Sequence, residues 1–294
     1  FAPATDLAMY KQQATQQNIK TLIDRGCIFV APSSGELDSG LGGEGRMEEP
    51  QKIYEKIKLF FQTKRNFSGK KILITAGPTY EAIDPVRFIG NHSSGLMGVE
   101  IARAFADQGA EVTLVLGPSN ISPNRKNINV MPVTSAKEMY DAVMTFFPKA
   151  DIAVLSAAVA DFRPEIVADQ KIKKNPDTDT ITLKLVKTED ILKTVGSQKK
   201  DNQIVVGFAL ETENGISNAK KKLHTKNIDF IVLNEMNESG VGFKTKTNKI
   251  TIINKNDEIV EFDLKPKSEV ALDVLNTIYQ YIKQAKINKK STNN

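Results

Sequence analysis

The segment best suited to chemistry is a polar loop between a short apolar strand at 72–75 and an apolar-periodic helix. The loop ends in Asn91, Ser93, Ser94 and Gly95 at the mouth of that helix. A helix N-terminus offers unpaired N–H groups and a partial positive charge, so it suits a phosphate. The two serines and the glycine let a ligand approach the backbone closely. We predict a nucleotide or phosphate site here, with an ordinary serine-capped loop as the alternative.

Gly77 and Arg87 lie in the same loop and complete the candidate set for substrate and phosphate binding. The loop lacks the GxGxxG pattern of dinucleotide-binding folds. The strand after its helix ends LVLGPSN, without an acidic residue to hold a ribose. These absences disfavour the main alternative, an oxidoreductase that uses NAD(P). A non-catalytic nucleotide-binding module is a second alternative.

A run of small residues follows a second apolar strand that ends at Ser156. Ala157 and Ala158 are small enough for a flat ligand to lie against the backbone. Asp161, just beyond them, could accept a hydrogen bond from an exocyclic amine. Alternatively, it caps a turn or pairs with Arg163. The residues alone leave both interpretations open.

Lysines at two places could meet a polyanion. Lys171 opens the run KIKK before an Asn-Pro turn and suits a flap over a triphosphate, where ammonium groups neutralise a leaving pyrophosphate. A solvated basic loop is the alternative. Lys222 and Lys226 share a helix face, either around an anion or as complements to the helix dipole. The sequence shows no Ser-His-Asp or Cys-His relay and no metal-ligand spacing. This combination favours nucleotide activation of a substrate group followed by unaided attack of an amine.

Strands and helices alternate from residue 71 onward. Strands are predicted at 71–75, 111–116, 128–132, 151–156, 203–208 and 228–233, and helices at 95–108, 136–147, 189–196, 214–226 and 267–285. The alternation predicts an α/β fold with a doubly wound, mostly parallel, Rossmann-like sheet. Two further strands, 180–186 and 249–254, are predicted to form an antiparallel extension. Because ligands bind beyond the carboxyl ends of such strands, the loops after 75, 156, 208 and 233 should converge on one site.

The part before residue 71 has a different pattern. A helix at 13–25 leads to a predicted strand at 27–31, in which Cys27 should be a buried structural thiol. A helix at 48–62 and a polar linker at 63–70 follow. The lone cysteine excludes an intrachain disulfide and fits a reducing cytoplasm. The absence of an initial Met suggests a fragment of a longer protein.

The composition narrows the function classes. The 294 residues are 40% apolar with a net charge of +5, and no apolar run approaches the roughly 20 residues that span a membrane. Few aromatic residues and no recognition motif disfavour nucleic-acid binding. We predict a cytoplasmic protein that acts on small molecules, without a membrane or nucleic-acid partner.

Several unusual motifs, in this order, resemble the ligase half of the bacterial bifunctional coenzyme A biosynthesis proteins. That family joins a phosphopantothenoylcysteine decarboxylase to a phosphopantothenate–cysteine ligase. The motifs are TAGPTYEAIDPVRFIGNHSSGLMG, SAAVADFRP, KIKK, GFALETEN and VLNEMNESGVGF. The resemblance covers about 70–285. It implies a ligase domain at 71–285, which follows the helix and linker at 48–70 and precedes a polar tail at 286–294 that the residues themselves indicate.

The resemblance implies a two-step reaction. CTP and the carboxylate of 4'-phosphopantothenate give an acyl-cytidylate and pyrophosphate. The amine of L-cysteine then attacks, which gives phosphopantothenoylcysteine and CMP. The family also implies Mg²⁺, held mainly through phosphate oxygens, a homodimer through the ligase domain and a larger homo-oligomer of the full-length protein.

The resemblance also assigns roles to individual residues. Asn91 should hold the acyl-cytidylate for the second step, where its amide can donate to a developing oxyanion. Asp161, with the backbone near Ala157 and Ala158, should bind the cytosine amine, and Lys171 should meet the triphosphate. Further positions that align with CTP contacts are Asp190, Ile191, Phe208, Lys222 and Lys226.

Residues 1–47 resemble the end of the flavin-dependent decarboxylase, which implies a fragment of a flavodoxin-like domain. Ser39 stands where that family has its cysteine acid, and Asp6 stands where it has an asparagine. Ser39 is thus the candidate catalytic position of this part, but a serine hydroxyl is a far weaker acid than a thiol and a poor replacement for that proton donor. Decarboxylation with FMN is therefore expected only of a longer parent protein.

Overall fold

The structure, a computed structural model, describes residues 1–36, 42–63, 65–173, 180–211, 213–235 and 246–291. Ser39 and Lys174, the last lysine of the KIKK run, lie outside these ranges. Two compact units make up the chain, Phe1–Arg65 and Asn66–Asn294. Every cavity discussed below is formed by the second unit.

The first unit contains short helices and one antiparallel strand pair. Its elements are α1 (Leu7–Tyr10), α2 (Gln13–Asp24), β1 (Ser33–Glu36), β2 (Gly42–Arg46) and α3 (Pro50–Thr63). β1 pairs with β2. The helices predicted at 13–25 and 48–62 are present to within two residues at each end.

The backbone at Cys27 does not form the predicted strand, because it takes part in the hydrogen bonds that terminate α2. Gly26 has a φ of +88°, and the N–H groups of Gly26 and Cys27 donate to the carbonyls of Ile23 and Leu22 at 2.8 and 3.0 Å. This is the hydrogen-bond pattern of a glycine-terminated helix. The predicted strand at 27–31 is wrong, and the thiol is exposed rather than buried.

The second unit is an α/β domain with one large sheet. Its elements are β3 (Lys71–Ala76), β4 (Tyr80–Ala82), β5 (Phe88–Gly90), α4 (Leu96–Asp107), β6 (Glu111–Leu116), β7 (Ile128–Pro132), α5 (Ala136–Phe146), a 3₁₀ turn (Phe147–Lys149), β8 (Ile152–Leu155), β9 (Phe162–Pro164), β10 (Leu185–Lys187), α6 (Ile191–Gln198), β11 (Ile204–Glu211), α7 (Gly215–Thr225), β12 (Phe230–Glu235), β13 (Thr247–Asn254), β14 (Ile259–Pro266) and α8 (Lys267–Ser291). Among the described residues, no helix combines the length and the apolar composition that a membrane crossing requires.

The large sheet has the order β14-β13-β12-β11-β8-β3-β6-β7. Its six strands from β12 to β7 are parallel, and β13 and β14 are antiparallel. Ile72 and Ile74 of β3 face a core cluster with α4 and α8. Leu73 faces the opposite cluster with α5, α6 and α7. Because side chains alternate across a strand, this double burial explains the continuous apolar runs, and the predicted doubly wound sheet is confirmed.

The strand order reverses between β3 and β8. The chain passes from β3 to β6 and β7 on one side and then returns to β8 on the other. Such a reversal opens a crevice at the carboxyl ends of the strands. Gly98 allows α4 to approach the sheet closely, because a residue with a Cβ would clash there. A Cβ at this position would lie 2.5 Å from the Ala76 Cβ and 2.6 Å from the Ser156 Oγ. The start of α4 is therefore held directly against the ends of β3 and β8.

Three segments of the second unit differ from their predictions. The helix predicted at 267–285 is longer, since α8 continues to Ser291 into the predicted polar tail. The strand predicted at 180–186 is shorter, and as β10 it pairs with β9 in a separate two-stranded ribbon. The antiparallel extension of the main sheet consists instead of β13, predicted at 249–254, and β14, which the sequence analysis missed. Phe67, within the predicted linker 63–70, is 1% exposed and packs edge-on against Phe105 with ring centroids 4.9 Å apart. The end of that segment is thus part of the core of the second unit.

Candidate active site

Two adjoining cavities open at the carboxyl ends of the parallel strands. The first has a volume of about 440 Å³ and the second about 450 Å³. They share the lining residues Ala157, Val159, Asp161, Phe208 and Lys222. The predicted convergence of the loops after β3, β8, β11 and β12 is confirmed, since residues at or just beyond each of these strand ends line one cavity or both.

The first cavity lies between the segment after β8 and the facing ends of α6 and α7. Besides the shared residues it is lined by Thr75, Asp190, Ile191 and Lys226. Of the residues that the resemblance assigned to CTP, all except Ala158 and Lys171 border this cavity, and Ala158 lines the second one. A partly apolar space lined also by charged groups is suited to a nucleoside.

The second cavity lies over the start of α4. Asn91, Ser93, Ser94 and Gly95 line it together with the first turn of that helix. The Ser93 and Ser94 hydroxyls accept hydrogen bonds from the N–H groups of Gly95 and Leu96 at 3.3 and 3.4 Å. The N-cap of α4 is Gly95, and no side chain at that position caps the helix, so the serine N-cap of the alternative interpretation is not formed. The helix start still borders the cavity, with the positive end of its dipole.

Backbone hydrogen bonds hold the segment shared by the two cavities in place. The Thr75 Oγ1 accepts from the Ala157 N–H at 3.3 Å, and the carbonyl of Gly77 accepts from the Ala158 N–H at 2.9 Å. Gly77 itself, predicted to bind substrate or phosphate, lines neither cavity. In this structure its contribution is to position the wall of the site.

The Asn91 side chain contacts the segment after β8 that both cavities share. Its Nδ2 donates to the carbonyl oxygens of Ala158 and Val159 at 3.3 and 2.9 Å. The amide donor that the resemblance assigned to a developing oxyanion is therefore engaged with the backbone. Asn91 borders the second cavity, but its contacts make it a residue that orients the wall between the two cavities.

The Lys222 side chain lines both cavities and contributes a positive charge to each. It is partly buried, and its Nζ donates to the carbonyl oxygen of Phe208 at 3.2 Å. Burial lowers the pKa of Lys222, although the negative charges of Glu211, Asp190 and Asp161 oppose that shift. A partly desolvated ammonium group held by a neutral carbonyl gains free energy when an anion enters the cavity.

Asp190 and Lys226 form an ion pair at the rim of the first cavity. The Asp190 carboxylate caps α6 by accepting from the Lys193 N–H at 2.9 Å, and it pairs with the Lys226 Nζ. Burial opposes ionisation of Asp190, but the hydrogen bonds from Lys226 and Lys193 outweigh it and lower the pKa of the carboxyl group below its ordinary 3.8. The pair fixes the start of α6 beside the cavity.

Replacing Asp190 with asparagine should reduce stability only where the carboxylate is ionised, because asparagine preserves the helix cap. A lowered folded-state pKa stabilises the fold above the ordinary value of 3.8, and this contribution is lost as the pH falls through the folded-state pKa. We expect D190N to lose up to about 1 kcal/mol at neutral pH, as partly exposed pairs do. Urea unfolding at a series of pH values measures this, and a loss that persists at low pH would contradict the assignment.

Arg87 and Lys171 lie outside both cavities. The Arg87 Nη2 donates to the carbonyl of Ile172 at 2.6 Å and pairs with Asp84 at 3.2 Å. Asp84 is 2% exposed and accepts from the Ile172 N–H at 3.1 Å. These contacts anchor the segment that carries the exposed Lys171. Arg87, predicted to bind phosphate, therefore anchors this segment rather than bordering either cavity.

Three buried or partly buried polar residues at the floor of the second cavity were missed. Asn234, Asn248 and Lys267 line it, and the last two are 1% and 6% exposed. The only sequence signal was a polar residue inside or beside an apolar run, as in VLNE and TNKITII. Among the described residues, His, Cys, Asp and Glu side chains form no group of three or more that could hold a metal ion.

Comparisons with known proteins place the chain in a family. Residues 67–282 match the family described as "DNA/pantothenate metabolism flavoprotein C-terminal domain". The chain is 49% identical over 282 residues to a "Cysteine/Cysteine sulfinic acid decarboxylase" of an unknown prokaryotic organism, covering 95% of this chain and 78% of that protein. It is 45% identical over 280 residues to the "Coenzyme A biosynthesis bifunctional protein CoaBC" of Haemophilus influenzae, covering 95% of this chain and 69% of that protein.

A solved structure gives the same result for the fold. The crystal structure of the C-terminal domain of a CoaBC protein superposes with a TM-score of 0.64 at 40% identity, covering 75% of this chain and 99% of that chain. By sequence and by fold, the chain belongs to the family of the bifunctional coenzyme A biosynthesis proteins, through their C-terminal ligase part.

Proposed function

We propose that this chain catalyses the CTP-dependent ligation of 4'-phosphopantothenate with L-cysteine, a step of coenzyme A biosynthesis. One observation carries the proposal: the partly buried ammonium group of Lys222 lies between two adjoining cavities at the strand-order reversal. One cavity suits a nucleoside and the other suits phosphate. The names of the CoaBC relatives support coenzyme A biosynthesis as the pathway.

The proposed chemistry needs binding and orientation more than a strong base. A carboxylate oxygen of 4'-phosphopantothenate attacks the α-phosphorus of CTP, and the P–O bond to pyrophosphate breaks. The amine nitrogen of cysteine then attacks the acyl carbon, the C–O bond to CMP breaks, and the nitrogen loses a proton. Because the mixed anhydride is already reactive, positioning and charge stabilisation supply most of the catalysis.

The roles of the residues follow from the two cavities. In the proposal, cytosine lies against Ala157 and Phe208 in the first cavity, and the Asp161 carboxylate accepts from its exocyclic amine. The phosphates extend past Lys222 toward the start of α4, whose N–H groups and dipole favour anions. Electrostatic stabilisation of the leaving pyrophosphate by Lys222 is the main contribution of this chain to the first step.

The metal and flavin enter the proposal differently. Mg²⁺ fits as an ion that arrives with the triphosphate, since it prefers phosphate oxygens and water to an all-protein cage. The carboxyl groups of the described residues form no cluster for it. FMN belongs to the decarboxylase part of the resemblance, and Ser39, the position concerned, lies outside the described residues. We derive no decarboxylation step for this chain.

The homodimer and the larger assembly implied by the resemblance are also part of the proposal. Lys171 lines neither cavity of its own chain, and its role against a triphosphate rests on the resemblance. A second subunit could bring it to the nucleotide. Sedimentation velocity tests the dimer, and mixed oligomers of K171Q and K222M chains test whether one subunit supplies Lys171 to another.

Decarboxylation is a second candidate function, and one observation favours it. The relative with 49% identity is named for decarboxylation of cysteine and cysteine sulfinic acid. Incubation with each of these acids, with and without FMN, and measurement of released CO₂ tests this candidate directly.

Titration with NADPH tests the oxidoreductase alternative, which predicts tight binding of NADPH without binding of CTP.

The deciding experiment for ligation is pyrophosphate release with CTP, ATP and GTP in turn. Each nucleotide is tested with and without 4'-phosphopantothenate and L-cysteine, and the products are identified by mass spectrometry. The proposal predicts release that depends on CTP and 4'-phosphopantothenate, and an amide product only when cysteine is added. Binding of CTP without pyrophosphate release would favour a non-catalytic nucleotide-binding module instead.

Replacing Asp161 with asparagine should relax the choice of nucleotide. The carboxylate only accepts hydrogen bonds, whereas the asparagine amide also donates, so the variant can face a carbonyl group as well as an amine. We expect the CTP-to-UTP ratio of kcat/KM to fall about tenfold, the equivalent of one hydrogen bond. E165Q, a nearby carboxylate outside both cavities, is the matched control. An unchanged ratio in D161N would remove Asp161 from base recognition.

A further inference from the structure

Three carboxylates line the first cavity, and they differ in their hydrogen bonds. They belong to Asp161, Glu189 and Asp190. Both oxygens of Asp190 are occupied, since one accepts from the Lys193 N–H and the other pairs with Lys226. Within the part of the chain that the structure describes, no group donates a hydrogen bond to the side chain of Asp161 or Glu189. The first cavity therefore presents two carboxylates with acceptors for a ligand, and only Asp161 has a role so far.

The backbone holds Glu189 on a segment next to that of Asp161. The Thr188 N–H donates to the carbonyl of Asp161 at 3.0 Å, and the Thr188 Oγ1 donates to the carbonyl of Ala160 at 2.7 Å. On the other side of Glu189, Asp190 is the N-cap of α6. Both neighbours in the chain are thus fixed, and a carboxylate between them has a defined place at the rim of the cavity.

The Glu189 carboxylate is exposed and retains its capacity for a ligand. Its negative charge helps to raise the pKa of Lys137 on α5, but that ammonium group already pairs with Asp141. An ionised carboxylate only accepts hydrogen bonds. The ligand group that Glu189 binds must therefore be a donor.

We propose that Glu189 binds the ribose hydroxyl groups of the nucleotide and makes the site select ribonucleotides. In the proposed complex the base lies against Ala157 and Phe208, and the phosphates extend past Lys222. The ribose connects the two, and its 2' and 3' hydroxyls project away from both, toward the rim. The two oxygens of one carboxylate can accept from these two hydroxyls. This inference rests on the proposed ligation and deepens its nucleotide site.

The proposal supplies a group that the sequence analysis found absent elsewhere. In dinucleotide-binding folds an acidic residue after a strand of the parallel sheet holds the ribose, and the segment after β6 has none. Glu189 offers the same carboxylate from the segment between β10 and α6. The sequence analysis missed it, because nothing local distinguishes it from other exposed carboxylates.

Other ligand groups fit Glu189 less well. The triphosphate is an anion, so a carboxylate repels it. A metal ion is not favoured, since the described His, Cys, Asp and Glu side chains form no group of three or more that could hold one. The ammonium group of cysteine is the remaining alternative, and the experiment separates it from the ribose.

The experiment compares CTP with 2',3'-dideoxy-CTP in wild type and E189A. Pyrophosphate release is measured with 4'-phosphopantothenate at varied nucleotide. We expect the CTP-to-dideoxy-CTP ratio of kcat/KM to fall about tenfold in E189A, the typical effect of one hydrogen bond to a charged group. The fall should come from CTP, and the CTP-to-UTP ratio should be unchanged because Asp161 is intact. E213A, at an exposed carboxylate outside both cavities, is the matched control.

Calorimetric binding of the two nucleotides gives the same ratio without catalysis. If Glu189 acts only through its charge, E189A binds both nucleotides more tightly by the same factor, which would overturn the proposal. A higher KM for cysteine with an unchanged nucleotide ratio would overturn it in favour of the ammonium group. Both outcomes leave the ligation intact. Wild type without pyrophosphate release from any nucleotide would overturn the proposed function, and the role of Glu189 with it.

Discussion

Replacing Lys222 with methionine should lower kcat/KM for CTP about a hundredfold, the typical effect of removing one donor that stabilises charge in a transition state. The side chain borders both cavities, so the loss acts on the bound triphosphate and on the leaving pyrophosphate together. Methionine preserves the length and packing of the chain. Pyrophosphate release at varied CTP measures the effect, and kcat should fall along with kcat/KM.

The control for this variant lies on the same helix. Lys221 precedes it and is exposed, so K221M removes the same charge from α7 without entering a cavity. Equal losses in K221M and K222M would indicate that only the general positive potential of α7 matters. Wild-type rates in K222M would contradict the role of Lys222 in triphosphate binding, on which the ligase proposal depends.

The pH dependence of Lys222 follows from its environment. Burial lowers its pKa below the ordinary 10.5 for lysine, so the ammonium group loses its proton as the pH rises through that lowered value. KM for CTP should then increase at alkaline pH in wild type, at a pH below 10.5. The increase should be absent from K222M, because methionine does not titrate.

The parallel core could be predicted because its signals are local. Strands buried on both faces must be apolar throughout, and runs such as 72–76 and 152–155 show this in the sequence. The edge of the sheet at which the loops meet follows from the alternation of strands and helices. Neither the buried strands nor this edge requires knowledge of which side chains are in contact.

Strand pairing and burial of polar groups could not be predicted in the same way. The segment 180–186 has strand-like alternation, but its partner, β9, is set by tertiary structure. For the same reason, the contacts of Arg87 and the burial of Asn248 could not be predicted from the sequence. Arg87 in a polar loop suggested phosphate binding, yet its guanidinium holds a backbone carbonyl. Asn248 in an apolar strand suggested nothing, because its burial depends on α8 covering that face of the sheet.

The last prediction concerns Asn91, for which the resemblance and the geometry imply different kinetics. Its Nδ2 donates to the carbonyls of Ala158 and Val159, which lie in the wall between the two cavities. In N91D a carboxylate oxygen replaces this donor and faces two carbonyl oxygens, so the wall must move. We expect KM for CTP to rise and pyrophosphate release to fall at least about tenfold, because a hydrogen bond worth about 1 kcal/mol is replaced by repulsion between the carboxylate and two carbonyl oxygens.

Separate assays of the two steps distinguish the roles. Pyrophosphate release is measured without cysteine, and amide formation is measured by mixing a preformed acyl-cytidylate with cysteine. If Asn91 orients the wall of the site, both steps fall together, because nucleotide and acyl-cytidylate share the first cavity. If its amide stabilises only the oxyanion of the second step, amide formation falls and pyrophosphate release stays at the wild-type rate. N129D, at an exposed asparagine on β7, controls for the added charge. Loss of the second step alone would show that Asn91 exchanges its backbone partners for substrate during the reaction.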